Sequence, residues 1–131
     1  MVIEHASDHL RVTISGDNGI ALPASAIETI VSAAVRNHCH GVLLDARHHA
    51  PQPSTIDCFE FADLIGQRRP WPFFVMALVV REEIVQAARF AEIVASNRGI
   101  FLRVFDDETE ALSWIRSMTG DHRAPYGREA S

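Results

Sequence analysis

Val2 to Ala6 and His9 to Ser15 alternate apolar and polar residues on either side of Ser7 and Asp8, which predicts two short strands forming an N-terminal hairpin or edge pair. The stretch Gly16 to Gly19 supplies the turn that ends them. From Pro23 to about His38, Ile27, Ile30, Val31 and Ala34 recur at helical spacing with Glu28, Ser32 and Arg36 opposite, and Pro23 suits the first turn of such a helix. Gly41 to Ala46 reads as a buried strand with Asp45 near its end, followed by a polar loop from Arg47 to Pro53. Ser54 is a natural N-cap with Asp57 in the capping-box position, so a helix is predicted from Ser54 to about Arg68, closed by Pro70 and Pro72.

Phe73 to Val80 is uniformly apolar, the signature of a strand covered on both faces. Glu82 to about Asn97 carries Ile84, Ala87, Ala88, Ala91 and Val94 on one helical face, with Gly99 placed as its stop. Ile100 to Phe105 is another strand. Asp106 and Asp107 open a last helix through Met118, whose face of Ala111, Trp114, Ile115 and Met118 predicts a largely buried Trp114. Gly120 follows its end, and 121–131 reads as a flexible C-terminal tail. Alternation of this kind predicts an α/β fold: one domain over 1–120, with a mixed, mostly parallel sheet of about five strands and four helices. Crossovers should be right-handed and the first strand an antiparallel edge.

Composition narrows the function. All 12 basic residues are arginines, against 17 acidic ones, for a net charge of -5. Without lysine there is no Schiff-base nucleophile and no Walker-type phosphate loop, and an acidic chain lacks the basic footprint of a duplex-binding protein. Nucleic acid is therefore not an expected partner. The first residues have neither the basic segment nor the apolar run of a secretory signal, and the longest apolar run, Phe73 to Val80, is too short to cross a bilayer. Two cysteines, Cys39 and Cys58, in such a chain are expected to stay reduced, which suits the cytoplasm.

The strand GVLLDAR at 41 to 47, the stretch RFAEIVASNRGIFLRVFDDETEAL at 89 to 112 and Trp114 after it resemble the STAS-like group, in particular its SpoIIAA-like branch. The likeness, with the matching element order, covers most of residues 2 to 118. It implies a small non-enzymatic domain that binds protein partners, nucleotides or hydrophobic ligands. In the antagonist branch a phosphorylated serine opens the helix after the Asp-ended strand, within an Asp-Ser-Ser/Thr-Gly stretch. Here the matching place reads Pro53-Ser54-Thr55-Ile56, without the acid and the glycine, so Ser54 is read as a structural N-cap.

Four histidines, His38, His40, His48 and His49, raise the question of a metal. They divide between opposite ends of one strand, about 20 Å apart, and neither pair has the spacing of a structural zinc site. No metal and no cofactor is expected. Ser54, His48 and Asp45 lie close in sequence but without a nucleophile elbow, and Cys58 reads as a small core residue, so no catalytic residue is assigned.

The expected site lies instead beyond the carboxyl ends of the strands, where helix N-termini converge in open α/β sheets. Asp45, Arg47 and His48 follow one strand, Ser54 and Thr55 open a helix, Phe59 is an aromatic beside them, and Arg81 ends the apolar strand. Helix amides and arginines would favour an anionic group, and the aromatic helix an apolar one. The plainer alternative pairs Arg47 and Arg81 with Asp45, Glu82 or Glu83. Trp71 between prolines and arginines, and Ile93 opposite its helix's core stripe, are expected contact surface, compatible with a homodimer or with peripheral contact at a membrane. The expected function is a STAS-like regulatory or binding module for a protein partner or small ligand, with a carrier or sensor of a hydrophobic or anionic molecule as the alternative.

Overall fold

A computed structural model describes residues 1–6, 8–16, 24–49, 60, 63 and 75–130, with backbone alone at 15–16, 24–27, 49 and 120–130. Strands β1 (Val2–His5) and β2 (Leu10–Gly16) pair antiparallel, with Ile3 opposite Val12 and Glu4 opposite Arg11. The expected N-terminal hairpin is therefore present. Leu10, Val12 and Ile14 point into the core, while Arg11 and Thr13 fall on the other face, as strand alternation requires.

Helix α1 (Ala24–Arg36) carries the chain to β3 (Gly41–His49), which runs parallel to β2. His38 ends α1 in the left-handed conformation, φ 56°, and the amides of His38 and Cys39 close onto the carbonyls of Val35 and Ala34. That bonding is a Schellman motif with histidine where glycine is usual. Helix α2 (Val85–Asn97), entered through a 3₁₀ turn at Glu82–Ile84, ends the same way with the expected Gly99 at φ 79°.

Strands β4 (Val75–Val79) and β5 (Phe101–Phe105) complete a sheet of order β1-β2-β3-β4-β5, parallel from β2 onward. Because each parallel strand is laid down beside the last in one direction, right-handed crossovers put the connecting helices on one face. Accordingly α1 and α2 share a core with Val12, Val42, Leu44, Met76, Leu78 and Val104. Helix α3 (Glu108–Ala130) follows the last strand and covers the opposite face, with Ala111 and Ile115 on Leu43, Val75, Ala77 and Val79. It lies close: a Cβ on Gly41 would come 2.5 Å from Ile115 Cγ2.

Four details depart from the sequence-based expectations. β3 continues through Arg47, His48 and His49, where a loop was predicted, because β2 offers Ser15 and Gly16 as further partners beyond a bulge. Trp114 is half-buried rather than largely buried, since it packs on Phe105 at the rim of the second core, 5.8 Å between ring centroids. α3 does not end at Met118 but runs on through Gly120 and Pro125 to Ala130. Three α-helices are found among the described residues where four were predicted. The fourth, from Ser54, lies outside them apart from Glu60 and Asp63, which are helical, and Asp63 pairs with Arg98 at 2.6 Å.

The free edge of β5 is guarded. The Val104 amide, which would otherwise face an incoming strand, donates to Glu92 Oε2 of α2 at 2.7 Å.

Candidate functional site

Alternation along β3 sends Val42, Leu44 and Ala46 toward α1 and α2, and Leu43, Asp45 and Arg47 toward α3. Thr13 stands beside Asp45 in the neighbouring strand, with Arg11 one step behind on the same face. The bulge follows at once, leaving the Arg47 amide 3.1 Å from Asp45 Oδ1. α3 begins above this point and lowers Glu108 from its first turn. Four charged side chains from β2, β3 and α3 thus meet beside the apolar contact of α3 with Leu43, Val75, Ala77 and Val79.

Asp45, only 1% exposed, accepts from Arg47 Nε at 2.9 Å and Arg47 Nη2 at 2.8 Å, and from Arg11 Nη2 at 2.9 Å. Glu108 accepts from Arg11 Nε at 2.9 Å and Arg11 Nη2 at 2.8 Å, a bidentate pair, and from Arg47 Nη2 at 3.0 Å. Arg11 Nη1 also donates to Thr13 Oγ1 at 2.6 Å. Planar guanidinium forks fit this double duty, which a lysine ammonium would not.

Burial by itself would raise the Asp45 carboxyl. Hydrogen bonds from the Arg47 side chain and amide, with the charges of both arginines, outweigh it and hold the group at about 2. Glu108 is also lowered, first by its hydrogen bonds from Arg11, and the two arginines are raised in turn. The quartet is therefore fully ionised at neutral pH and electrically balanced within itself.

Of the expected site residues, Asp45 and Arg47 are at its centre, paired with each other. His48 is exposed one residue beyond. Ser54, Thr55 and Phe59 lie outside the described residues, as do Trp71 and Cys58. Arg81 is exposed, and its described ion pair is to Glu83 at 3.7 Å, so the plainer pairing describes both arginines. Arg11 and Glu108 were not singled out from sequence. Arg11 sits in an alternating strand as an ordinary outward residue, and Glu108 reads as a first-turn helix acid. They are 97 residues apart, and only an arginine among the non-core positions of β2 hinted at a buried acid nearby.

A second polar link joins α3 to the hairpin. The carboxylate of Asp8 meets His9 Nδ1 at 2.7 Å and accepts from Arg116 Nε at 2.9 Å, and its pKa is lowered, chiefly by His9. Glu108 and Arg116 are two turns apart on one side of α3, so the helix is pinned to the N-terminal hairpin at two points, Arg11 in β2 and Asp8 in the turn before it.

None of this forms a nucleophile with its base. The Cys39 thiol is pushed up by burial and stays protonated, and the Thr119 hydroxyl donates to its own helix at Ile115 O, 2.9 Å. Among the described residues no three of His, Cys, Asp and Glu converge on a metal position, and no helix is long and apolar enough to cross a membrane. Compared with known proteins, the chain matches no family model, no curated protein and no solved structure.

Proposed function

We propose that the chain is a STAS-like regulatory or binding module of the cytoplasm, not an enzyme, acting through contact with a protein partner or a small anionic ligand. The observation that carries this is the charge quartet. Arg11, Asp45, Arg47 and Glu108, gathered beside the carboxyl end of β3, are ion-paired with one another, so neither carboxylate of the quartet is left as a free general base. Its arginines are still partly open to solvent, so it is a surface that recognises charge. The element order and the N-terminal antiparallel pair fit the resemblance carried by residues 41 to 47 and 89 to 114.

Native mass spectrometry of the protein as purified from cells, together with in-cell crosslinking, tests the reading. The bare chain mass with a stoichiometric crosslinked protein supports a protein-contact module. A retained lipid-sized mass moves the assignment to a carrier. Finding neither partner nor ligand sinks the binding reading.

A further inference from the structure

The two carboxylates of the quartet are not equivalent. Asp45 belongs to β3 itself, is 1% exposed, and is held by its own strand's amide as well as by both guanidinium groups. It cannot leave without stranding a buried charge. Glu108 reaches in from another element, is 31% exposed, and is held by guanidinium groups alone. Its departure leaves the start of α3 intact, because Asp107 caps that turn by accepting from the Glu110 amide at 3.0 Å.

Without Glu108, Arg11 and Arg47 would share the buried charge of Asp45, with the exposed Glu4 carboxylate 3.9 Å from Arg11 Nη1 as the remaining described acid. Arg11 Nε, Arg11 Nη2 and Arg47 Nη2 would then converge on a vacancy the size of one carboxylate and open to solvent. We propose that Arg11 and Arg47 form an oxyanion-binding fork of which Glu108 is the internal occupant, displaced when a carboxylate or phosphate group of a ligand arrives. This deepens the binding-module reading and rests on it, supplying the chemistry of the group recognised. A partly exposed ion pair is a weak competitor, worth at most about 1 kcal/mol, so the handicap Glu108 imposes on an incoming anion is about fivefold. Ligand binding frees Glu108 and loosens one of the two polar links between α3 and the N-terminal hairpin.

The test is to titrate the full chain and its Glu108→Ala variant with inorganic phosphate and, separately, acetate at constant ionic strength, following the arginine Nε–H and backbone amide NMR signals. The expected result is a saturable shift at Arg11, Arg47 and the first turn of α3, about fivefold tighter in Glu108→Ala than in the natural chain. Replacing Arg11 by glutamine in that variant should abolish it. Response to acetate alone assigns a carboxylate ligand, to phosphate alone a phosphate ligand, and to both a general oxyanion fork. Equal affinity in the two proteins, or no saturable shift at Arg11 and Arg47 with either anion, overturns the proposal and leaves Glu108 a structural clamp. If Glu108→Ala does not fold, Glu108→Gln, which keeps the shape and removes the charge, decides by the same criterion. Either failure leaves the partner and ligand searches by crosslinking and native mass spectrometry untouched, so the two readings fail separately.

Discussion

Replacing Asp45 by asparagine keeps the size of the side chain and removes the charge that two arginines surround. The carboxyl sits at about 2 in the folded protein against an ordinary 3.8, and it is almost fully buried. A difference of that size is worth about 2–3 kcal/mol of folding free energy at neutral pH. Asparagine also turns an NH₂ toward guanidinium donors, so nothing recovers the loss. The folded value is depressed, so this contribution is present above the unfolded value near 4 and disappears as pH falls through about 2. Asp45→Asn should therefore be less stable than the natural chain by about 2–3 kcal/mol at about pH 7, with the gap shrinking to roughly half at about pH 3. Glu108 and Asp8 are lowered too, but they titrate in both proteins and cancel to first order. Urea unfolding followed by tryptophan fluorescence at the two pH values measures the gap, Trp114 lying on the same helix as Glu108 and packing on Phe105 of the sheet. A gap under about 0.5 kcal/mol at neutral pH, or one that does not change on acidification, refutes the claim that Asp45 is stabilised as a buried anion.

Gly41→Ala should cost about 1–3 kcal/mol, because its methyl meets the buried Ile115, and the loss should shrink in the double variant with Ile115→Ala; additive losses in a double-mutant cycle would disprove the contact. His38→Gly should raise stability by about 0.5–1 kcal/mol in the same unfolding assay, since glycine adopts the left-handed φ of the α1 cap without the side-chain penalty. Glu92→Ala should expose the Val104 amide at the free edge of β5 and increase self-association by sedimentation velocity, with the natural chain as control; an unchanged sedimentation coefficient across concentration would show that Glu92 is not a guard.

The two helix caps show where reading the sequence succeeds and fails. Gly99 announces the end of α2 because glycine alone takes a left-handed φ freely, and the structure places it there. His38 performs the same turn at the end of α1 with no such announcement, because the geometry is imposed by the Schellman bonds and the packing beyond them. Trp114 teaches a similar lesson. Its helical face was legible, but whether a face residue is covered depends on how far the neighbouring layer extends, and here the layer ends at the edge strand.

By itself the sequence determined the local periods: alternation for β1 and β2, helical spacing for α1 and α2, the unbroken apolar run of β4, and Gly99 as a stop. These follow from backbone geometry and from which side chains must leave water, which act over a few residues. It also marked Asp45 and Arg47 as the charged end of a buried strand. Only the tertiary structure decided that α3 would take the opposite face, that β3 would run on past a bulge, and that Arg11 and Glu108 would complete the quartet. The physical reason is that an ion pair carries no sequence period. Its partners are chosen by strand order and helix placement, and 97 residues separate Arg11 from the carboxylate it holds most closely.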